Sequence, residues 1–111
     1  MDSRLLWGTV DMLVLDVISR GPNYGYQITQ LVTAQSKGRF DLKEGSLYPA
    51  LHRLERKGLL ASKWETAKDR NREFKYYRLT PKGRKQLAAE ESKWKQMARA
   101  IGQVMWPAEE G

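Results

Sequence analysis

The chain has 111 residues, of which 41% are hydrophobic and 30% are charged, and this balance predicts one folded domain with a single core. It contains no cysteine, which excludes a disulfide framework, a cysteine-based zinc site and a thiol nucleophile. Lysine and arginine total 20 against 13 acidic residues, so the net charge of +7 favours a polyanionic partner, nucleic acid before an anionic membrane.

The amino terminus and the distribution of apolar residues bear on where the chain works. The first residues, MDSR, lack the basic start and apolar stretch of a secretion signal. No apolar run approaches the roughly 18 residues that a membrane span needs. We therefore expect a cytoplasmic location and no membrane partner.

The first two predicted elements are helices. From about residue 4 to residue 20, apolar residues cover nearly the whole helix circumference, which predicts burial on most sides and, in so short a chain, against a second subunit. Gly21-Pro22 is expected to end this helix. Asn23 is expected to cap a second helix that runs to about Ser36, followed by a polar connection.

The third predicted helix lies within EGSLYPALHRLERKG, residues 44–58, and it combines an apolar face with a proline. Leu47, Leu51 and Leu54 recur at helical spacing. We expect Ser46 to be the N-cap, because Pro49 would then be the third helical residue, where its missing N–H has no intrahelical acceptor. Gly58 is expected to end the helix.

The side of this helix opposite the leucines is the candidate binding surface. Its side chains are of types that reach base edges and phosphates: Ser46, Pro49, His52, Arg53 and Arg56, with Tyr48 at one edge. Arg53 is suited to donate two hydrogen bonds to guanine O6 and N7, a contact worth about 1–3 kcal/mol of discrimination. An ordinary solvated face is the alternative. A metal-binding role for His52 is disfavoured, because the chain has no other histidine and no cysteine.

Two segments with the alternating pattern of β-strands follow, at residues 60–66 and 73–80, and they predict a hairpin. The tip is basic, and Arg70, Arg72 and Lys75 are predicted to lie over DNA phosphates or in the minor groove. A solvated charged turn is the alternative for this tip. Three helices followed by such a ribbon predict a winged helix-turn-helix, in which the third helix enters the major groove.

The last predicted helix begins at Thr80-Pro81 and continues to about Met105, before a tail at residues 106–111. It carries a coiled-coil-like seam formed by Leu87, Trp94, Met97, Ile101 and Val104. The predicted fold class is therefore mainly α with a small β-hairpin. A winged helix domain at residues 1–80 is followed by a long C-terminal dimerisation helix at residues 81–105.

Four strings of this sequence resemble the PadR family of bacterial transcription regulators: GPNYGYQI at residues 21–28, GSLYPALHRLE at 45–55, GLL at 58–60 and YYRLTPKG at 76–83. The resemblance implies a winged-helix homodimer that binds inverted-repeat operator DNA, usually as a repressor, and that dimerises through its last helix with help from the first. By position it also implies DNA-facing roles for Ser46, Tyr48, Pro49, His52 and Arg53, and core positions for Tyr77 and Leu79. The wing departs from the family pattern, because Glu73 and Phe74 interrupt a stretch that is often more basic.

The short form with one C-terminal helix resembles a branch of this family in which some members bind aromatic or drug-like effectors between subunits. On that resemblance, Trp94 and its symmetry mate are candidates to stack on a planar ligand, with Trp7 and Met97 nearby. Packing of Trp94 into the dimer core is the alternative.

These observations predict a sequence-specific DNA-binding regulator. The alternative is a winged-helix interaction module whose basic face meets an acidic protein. An enzyme is not predicted, because the sequence has no nucleophile–base pair, metal cluster or phosphate loop of the GxxxxGK type. No cofactor is expected.

Overall fold

A computed structural model describes the backbone of residues 3–21, 23–67 and 71–107, and the side chains of the same residues apart from 3–7 and 67. Within these residues the elements follow in the order α1 (Ser3–Ile18), β1 (Asn23–Tyr24), α2 (Gly25–Gln35), α3 (Glu44–Arg56), β2 (Leu60–Ala67), β3 (Arg72–Leu79) and α4 (Pro81–Met105). No helix of the described part combines the length and the hydropathy that crossing a bilayer requires.

The core lies where the first three helices meet. Each helix turns an apolar stripe inward, and the side chains with the least exposure are Val14, Leu15 and Ile18 of α1, Ile28 of α2, and Leu47, Leu51 and Leu54 of α3. The base of the wing closes this core with Leu60, Tyr77 and Leu79. Tyr77 and Leu79 are thus core residues, as the family resemblance implied.

The wing is the hairpin formed by β2 and β3. It belongs to a three-stranded antiparallel sheet with the strand order β1-β3-β2. Strands β2 and β3 pair along their whole length, from Leu60 opposite Leu79 to Ala67 opposite Arg72. The predicted hairpin is confirmed, with strand ends within one residue of those expected. The third strand was not predicted.

Strand β1 also corrects the predicted start of the second helix. Asn23 does not cap that helix, because its backbone is extended and pairs with Tyr77 of β3. Tyr24 is the N-cap instead, and α2 begins at Gly25. The side chain of Gln27 accepts a hydrogen bond from the Tyr24 backbone N–H at 3.5 Å, as in a capping box.

The predicted start of α3 was wrong by three residues. Lys43 is the N-cap, and its carbonyl accepts hydrogen bonds from the N–H groups of Ser46 and Leu47 at 3.0 and 2.9 Å. Pro49 is therefore the sixth helical residue, and it deprives the carbonyl of Gly45 of its usual donor. Gly45 is exposed, so water can serve that carbonyl.

The junction between the wing and α4 depends on close backbone approach. Thr80 caps α4, as predicted, and its hydroxyl accepts a hydrogen bond from the Gly83 N–H at 3.0 Å. The same hydroxyl donates to the carbonyl of Gly58 at 2.7 Å. Gly58 ends α3, as predicted, with a φ of 79° that glycine adopts without strain. A Cβ on Gly83 would lie 2.1 Å from the carbonyl oxygen of Leu59, so only glycine fits there.

Helix α4 extends beyond the core of the domain. Its 25 residues span about 38 Å at 1.5 Å per residue. The first two turns pack on the core through Leu87, whereas the side chains of Ile101 and Val104 near the other end are exposed. The long dimension of the protomer is 60 Å against 29 and 24 Å for the others.

Candidate nucleic-acid interface

The outward face of α3 is a continuous exposed stripe. Leu47, Ala50, Leu51 and Leu54 are buried against the core. Along the opposite side, the exposed residues follow at intervals of four, three and four positions, and they are Gly45, Pro49, His52 and Arg56. Five of the predicted contact residues are exposed: Ser46, Tyr48, Pro49, His52 and Arg56. Arg53 is partly buried at the edge of the stripe.

The edge of α3 that faces α1 is held by an ion pair. Nη2 of Arg53 donates to Oδ1 of Asp11 at 2.8 Å, and the two side chains retain 33% and 22% of their exposure. Arg53 is therefore half-buried and oriented by α1. Asp11 was missed by the sequence reasoning, because a pair separated by 42 positions leaves no local pattern.

The edge of α3 that faces the wing is held by a second polar cluster. Glu55 accepts a hydrogen bond from the hydroxyl of Ser62 on β2, and Nζ of Lys75 on β3 lies 3.5 Å from its other carboxylate oxygen. The hydrogen bond from Ser62 lowers the pKa of Glu55, and Lys75 lowers it further against the opposing effect of burial. Lys75, predicted as a DNA contact, thus has an acidic partner within the protein.

A cleft of about 500 Å³ separates this edge of α3 from the wing. Its walls are rich in aromatic side chains: Tyr24, Tyr26, Tyr48, Trp64, Phe74 and Tyr77. The hydroxyl of Tyr48 lies only 2.6 Å from where a Cβ on Gly25 would stand, so a larger residue at the start of α2 would displace the Tyr48 ring. Burial, and secondarily the charge of Glu44, raise the pKa of Tyr48.

The wing combines a stacked interior with exposed cationic and aromatic groups. The ring of Phe74 packs on Tyr24 with centroids 4.6 Å apart, and the guanidinium carbon of Arg72 lies 5.4 Å from the centroid of Phe74. Phe74, which departs from the family pattern, therefore supports Arg72. Trp64 is 63% exposed on β2. Arg70 lies outside the described residues.

The predicted seam of α4 divides into two parts. Leu87 is only 7% exposed and belongs to the core of its own protomer, because the first turns of α4 pack on α1 and β3. Trp94 is half-buried, and Met97, Ile101 and Val104 are exposed. Two further apolar side chains at the end of α4, Met105 and Trp106, are also exposed and were not predicted. The side chain of Trp7 lies outside the described part of the chain.

Within the described residues no group of three or more histidine, cysteine, aspartate or glutamate side chains is arranged to hold a metal ion. A model for the "Transcriptional regulator PadR-like family" matches residues 14–89, which include α2, α3, the wing and the first turns of α4. The chain belongs to this family. PadR-like proteins are transcriptional regulators rather than enzymes, they bind DNA and they are generally dimeric.

Solved structures agree with this PadR-like assignment over nearly the whole chain. A transcriptional regulator from Clostridium thermocellum is 28% identical with a TM-score of 0.81, and the match covers 95% of this chain and 98% of that one. A PadR family regulator from Eggerthella lenta is 33% identical with a TM-score of 0.77, covering 93% and 87%. A transcriptional regulator from Mycobacterium tuberculosis is 38% identical over 66 residues, 60% of each chain. The predicted winged-helix fold and PadR family membership are confirmed.

Proposed function

We propose that this PadR-like regulator is a cytoplasmic homodimeric repressor that binds an inverted-repeat operator, with α3 in the major groove and the wing over the neighbouring backbone. The observation that carries the proposal is the burial pattern of α3. Its leucines face the core, and its opposite stripe of Gly45, Pro49, His52 and Arg56 is exposed beside a cationic wing. A convex helix face without an acidic residue at its centre suits the negative potential of a groove.

The residues on α3 are proposed to contact different parts of the DNA. Arg53 reads a guanine, and its ion pair with Asp11 sets the direction from which the guanidinium approaches. Pro49 meets a thymine methyl or a sugar, because it carries no N–H that would be left unpaired. Ser46, near the helix N-terminus, and His52 are placed for phosphate or base-edge contacts.

Other cationic groups are proposed to supply affinity rather than sequence discrimination. Arg56 is exposed at the far end of α3, and Arg72 is exposed on the wing. Such side chains hold the duplex in register through its phosphates. Arg70 is proposed to act in the same way. Tyr48, at the rim of the cleft, keeps a hydroxyl donor for a phosphate oxygen.

The partner protomer is proposed to cover the exposed strip of α4. Met97, Ile101 and Val104 are spaced as on one side of a helix and are solvent-exposed in a single protomer. A second copy related by a two-fold axis would bury both strips and place the two α3 helices about 34 Å apart, one turn of B-DNA. An inverted-repeat operator with half-sites one turn apart requires this spacing.

An aromatic effector between the protomers is proposed to release the repressor from DNA. The half-buried position of Trp94 on α4 supports a contact with a planar ligand near Met97. Titration of planar aromatic compounds, followed by tryptophan fluorescence, tests the proposal, with Trp94→Phe as the control for the three other tryptophans. A panel that leaves the fluorescence unchanged would assign Trp94 to the dimer core.

The DNA-binding proposal is tested by a gel shift with the DNA upstream of the protein's own gene. We expect a discrete complex that survives an excess of random competitor DNA. His52→Ala and Arg56→Ala, both at exposed positions, should weaken the complex without unfolding the protein. Equal competition by random and upstream DNA would contradict sequence-specific binding at that site.

A further inference from the structure

Three elements of the DNA-binding unit meet at one carboxylate. Glu55 projects from the edge of α3, Ser62 lies on β2, and Lys75 lies on β3. One carboxylate oxygen of Glu55 accepts a hydrogen bond from the hydroxyl of Ser62, and the other lies 3.5 Å from Nζ of Lys75. Glu55 and Lys75 retain only 32% and 28% of their side-chain exposure, so the cluster is shielded from much of the solvent.

A small change of strand angle at this cluster would displace the residues nearer the tip of the wing. The strands are fixed to the core at their base by Leu60 and Leu79. Towards the tip Phe74 packs on Tyr24, whereas Glu65, Thr66, Arg72 and Glu73 are exposed. From Lys75, the member of the cluster nearest the tip, to Arg72 is three residues along β3, or roughly 10 Å of strand. A change of 10° at the cluster would therefore move Arg72 by about 2 Å, enough to break a hydrogen bond.

Lys75 is engaged within the protein on two sides. Besides the carboxylate of Glu55, its Nζ lies 5.4 Å from the centroid of the Tyr77 ring, and Tyr77 is buried. To contact a phosphate, Lys75 would have to leave both partners. Its placement fits a brace between strand and helix better than a DNA contact.

We propose that Glu55 is a positioning residue that sets the angle of the wing relative to α3, through Ser62 and Lys75. This role rests on the proposed DNA-binding function. It explains how α3 and the wing, the two elements proposed to contact DNA, are held at a fixed distance from each other. Because this cluster holds the wing at a fixed angle, the cationic side chains of the wing contact phosphates only while α3 lies in the major groove in its proper register.

The sign of a charge-removing substitution distinguishes this role from a purely electrostatic one. Removal of a carboxylate near DNA reduces repulsion and releases Lys75, so electrostatics alone predicts tighter binding and a steeper salt dependence. Loss of the brace predicts the reverse. We expect Glu55→Ala to weaken operator binding by about tenfold, as for the loss of one or two charge-assisted contacts, and to flatten the salt dependence.

Two companion variants separate positioning from general damage to the fold. Ser62→Ala removes the hydrogen bond to Glu55 without changing the net charge, and it should weaken binding in the same direction. Glu55→Gln keeps an oxygen that accepts from Ser62, and it should restore most of the affinity lost in Glu55→Ala. Thermal unfolding of each variant shows that the comparison is made on folded protein.

The matched control is Glu73→Ala, which removes the same charge from an exposed position on the wing, in the lining of the cleft between α3 and the wing. It should leave operator binding unchanged or tighter. Hydroxyl-radical footprinting of the Glu55→Ala complex should show lost protection where the wing lies and retained protection where α3 lies.

Unchanged or tighter operator binding by Glu55→Ala would overturn the inference, and so would an equal loss in Glu73→Ala. Failure of the proposed function is a separate result, because it would appear as an unmodified protein that does not distinguish operator from random DNA.

Discussion

Arg53 offers the sharpest test of base reading, because its side chain can be changed without changing its charge. Arg53→Lys keeps the cation but loses the planar fork that donates two parallel hydrogen bonds to guanine. Arg53→Ala removes both. A residue that reads a base should lose sequence discrimination in both variants, whereas a residue that only neutralises a phosphate should tolerate lysine.

The expected magnitudes follow from the contacts of Arg53. A bidentate guanine contact contributes about 1–3 kcal/mol of discrimination, or about 5- to 150-fold in the affinity ratio for each half-site. The ion pair with Asp11 is 2.8 Å long but partly exposed, so its loss should cost the fold no more than about 1 kcal/mol. The effect on discrimination should therefore exceed the effect on stability.

The assay is fluorescence anisotropy with operator and random duplexes at one salt concentration, alongside thermal unfolding of each variant. For Arg53→Lys we expect an operator-to-random affinity ratio reduced at least fivefold, with binding to random DNA nearly unchanged. An equal loss on operator and random DNA for Arg53→Ala would refute base reading. Unchanged operator binding would leave Arg53 a structural partner of Asp11.

Four further predictions concern the fold, the dimer and the wing. Gly83→Ala should lower the unfolding free energy by about 3 kcal/mol, because its Cβ would lie 2.1 Å from a backbone carbonyl oxygen, whereas Gly102→Ala in the same helix should be neutral or stabilising; equal melting temperatures would contradict this. Ile101→Asp should shift the protein from dimer to monomer in sedimentation equilibrium, and an unchanged mass would exclude that part of α4 from the interface. Arg72→Ala should weaken operator and random DNA alike and reduce the salt slope by about one per protomer, so an unchanged slope would remove Arg72 from the phosphate contacts. Because the pKa of Glu55 is lowered on folding, its carboxylate stabilises the fold at pH values above the pKa of the unfolded state, and this stabilisation is lost as pH falls through the lower folded pKa; Glu55→Gln should therefore flatten the acid limb of a melting-temperature profile, and parallel profiles would argue against it.

The elements that the sequence predicted well are those specified by neighbouring residues. The leucines of α3 repeat at helical spacing, and they are buried. Thr80 and Pro81 carry a local start signal, and α4 begins there. The strands of the wing end within one residue of the prediction, since their aromatic and apolar alternation is also a local property.

The features that the sequence did not predict depend on contacts between distant segments. Strand β1 has two residues and exists only because β3, more than 50 positions later, offers it a hydrogen-bonding edge. The start of α3 was misplaced because avoidance of a helical proline suggested Ser46, whereas exposure makes Pro49 tolerable inside the helix.

In the candidate site, too, features set by neighbouring residues were predicted, and contacts between distant segments were not. The stripe of α3 was predicted from periodicity, and the exposure of Pro49, His52 and Arg56 agrees with it. The partners that hold its two edges, Asp11 and Ser62, were not identified. Both come from other elements, and neither carries a sequence pattern that names its partner.

Two α3 helices that are joined through α4 and read a duplex in a two-fold arrangement should select a symmetric DNA site. In vitro selection of DNA bound by the full chain, starting from a random pool, would reveal that site. We expect an enriched inverted repeat whose half-sites are centred about 10 base pairs, or one helical turn, apart. A pool without an enriched motif, or a single unrepeated site bound by one protomer, would contradict it.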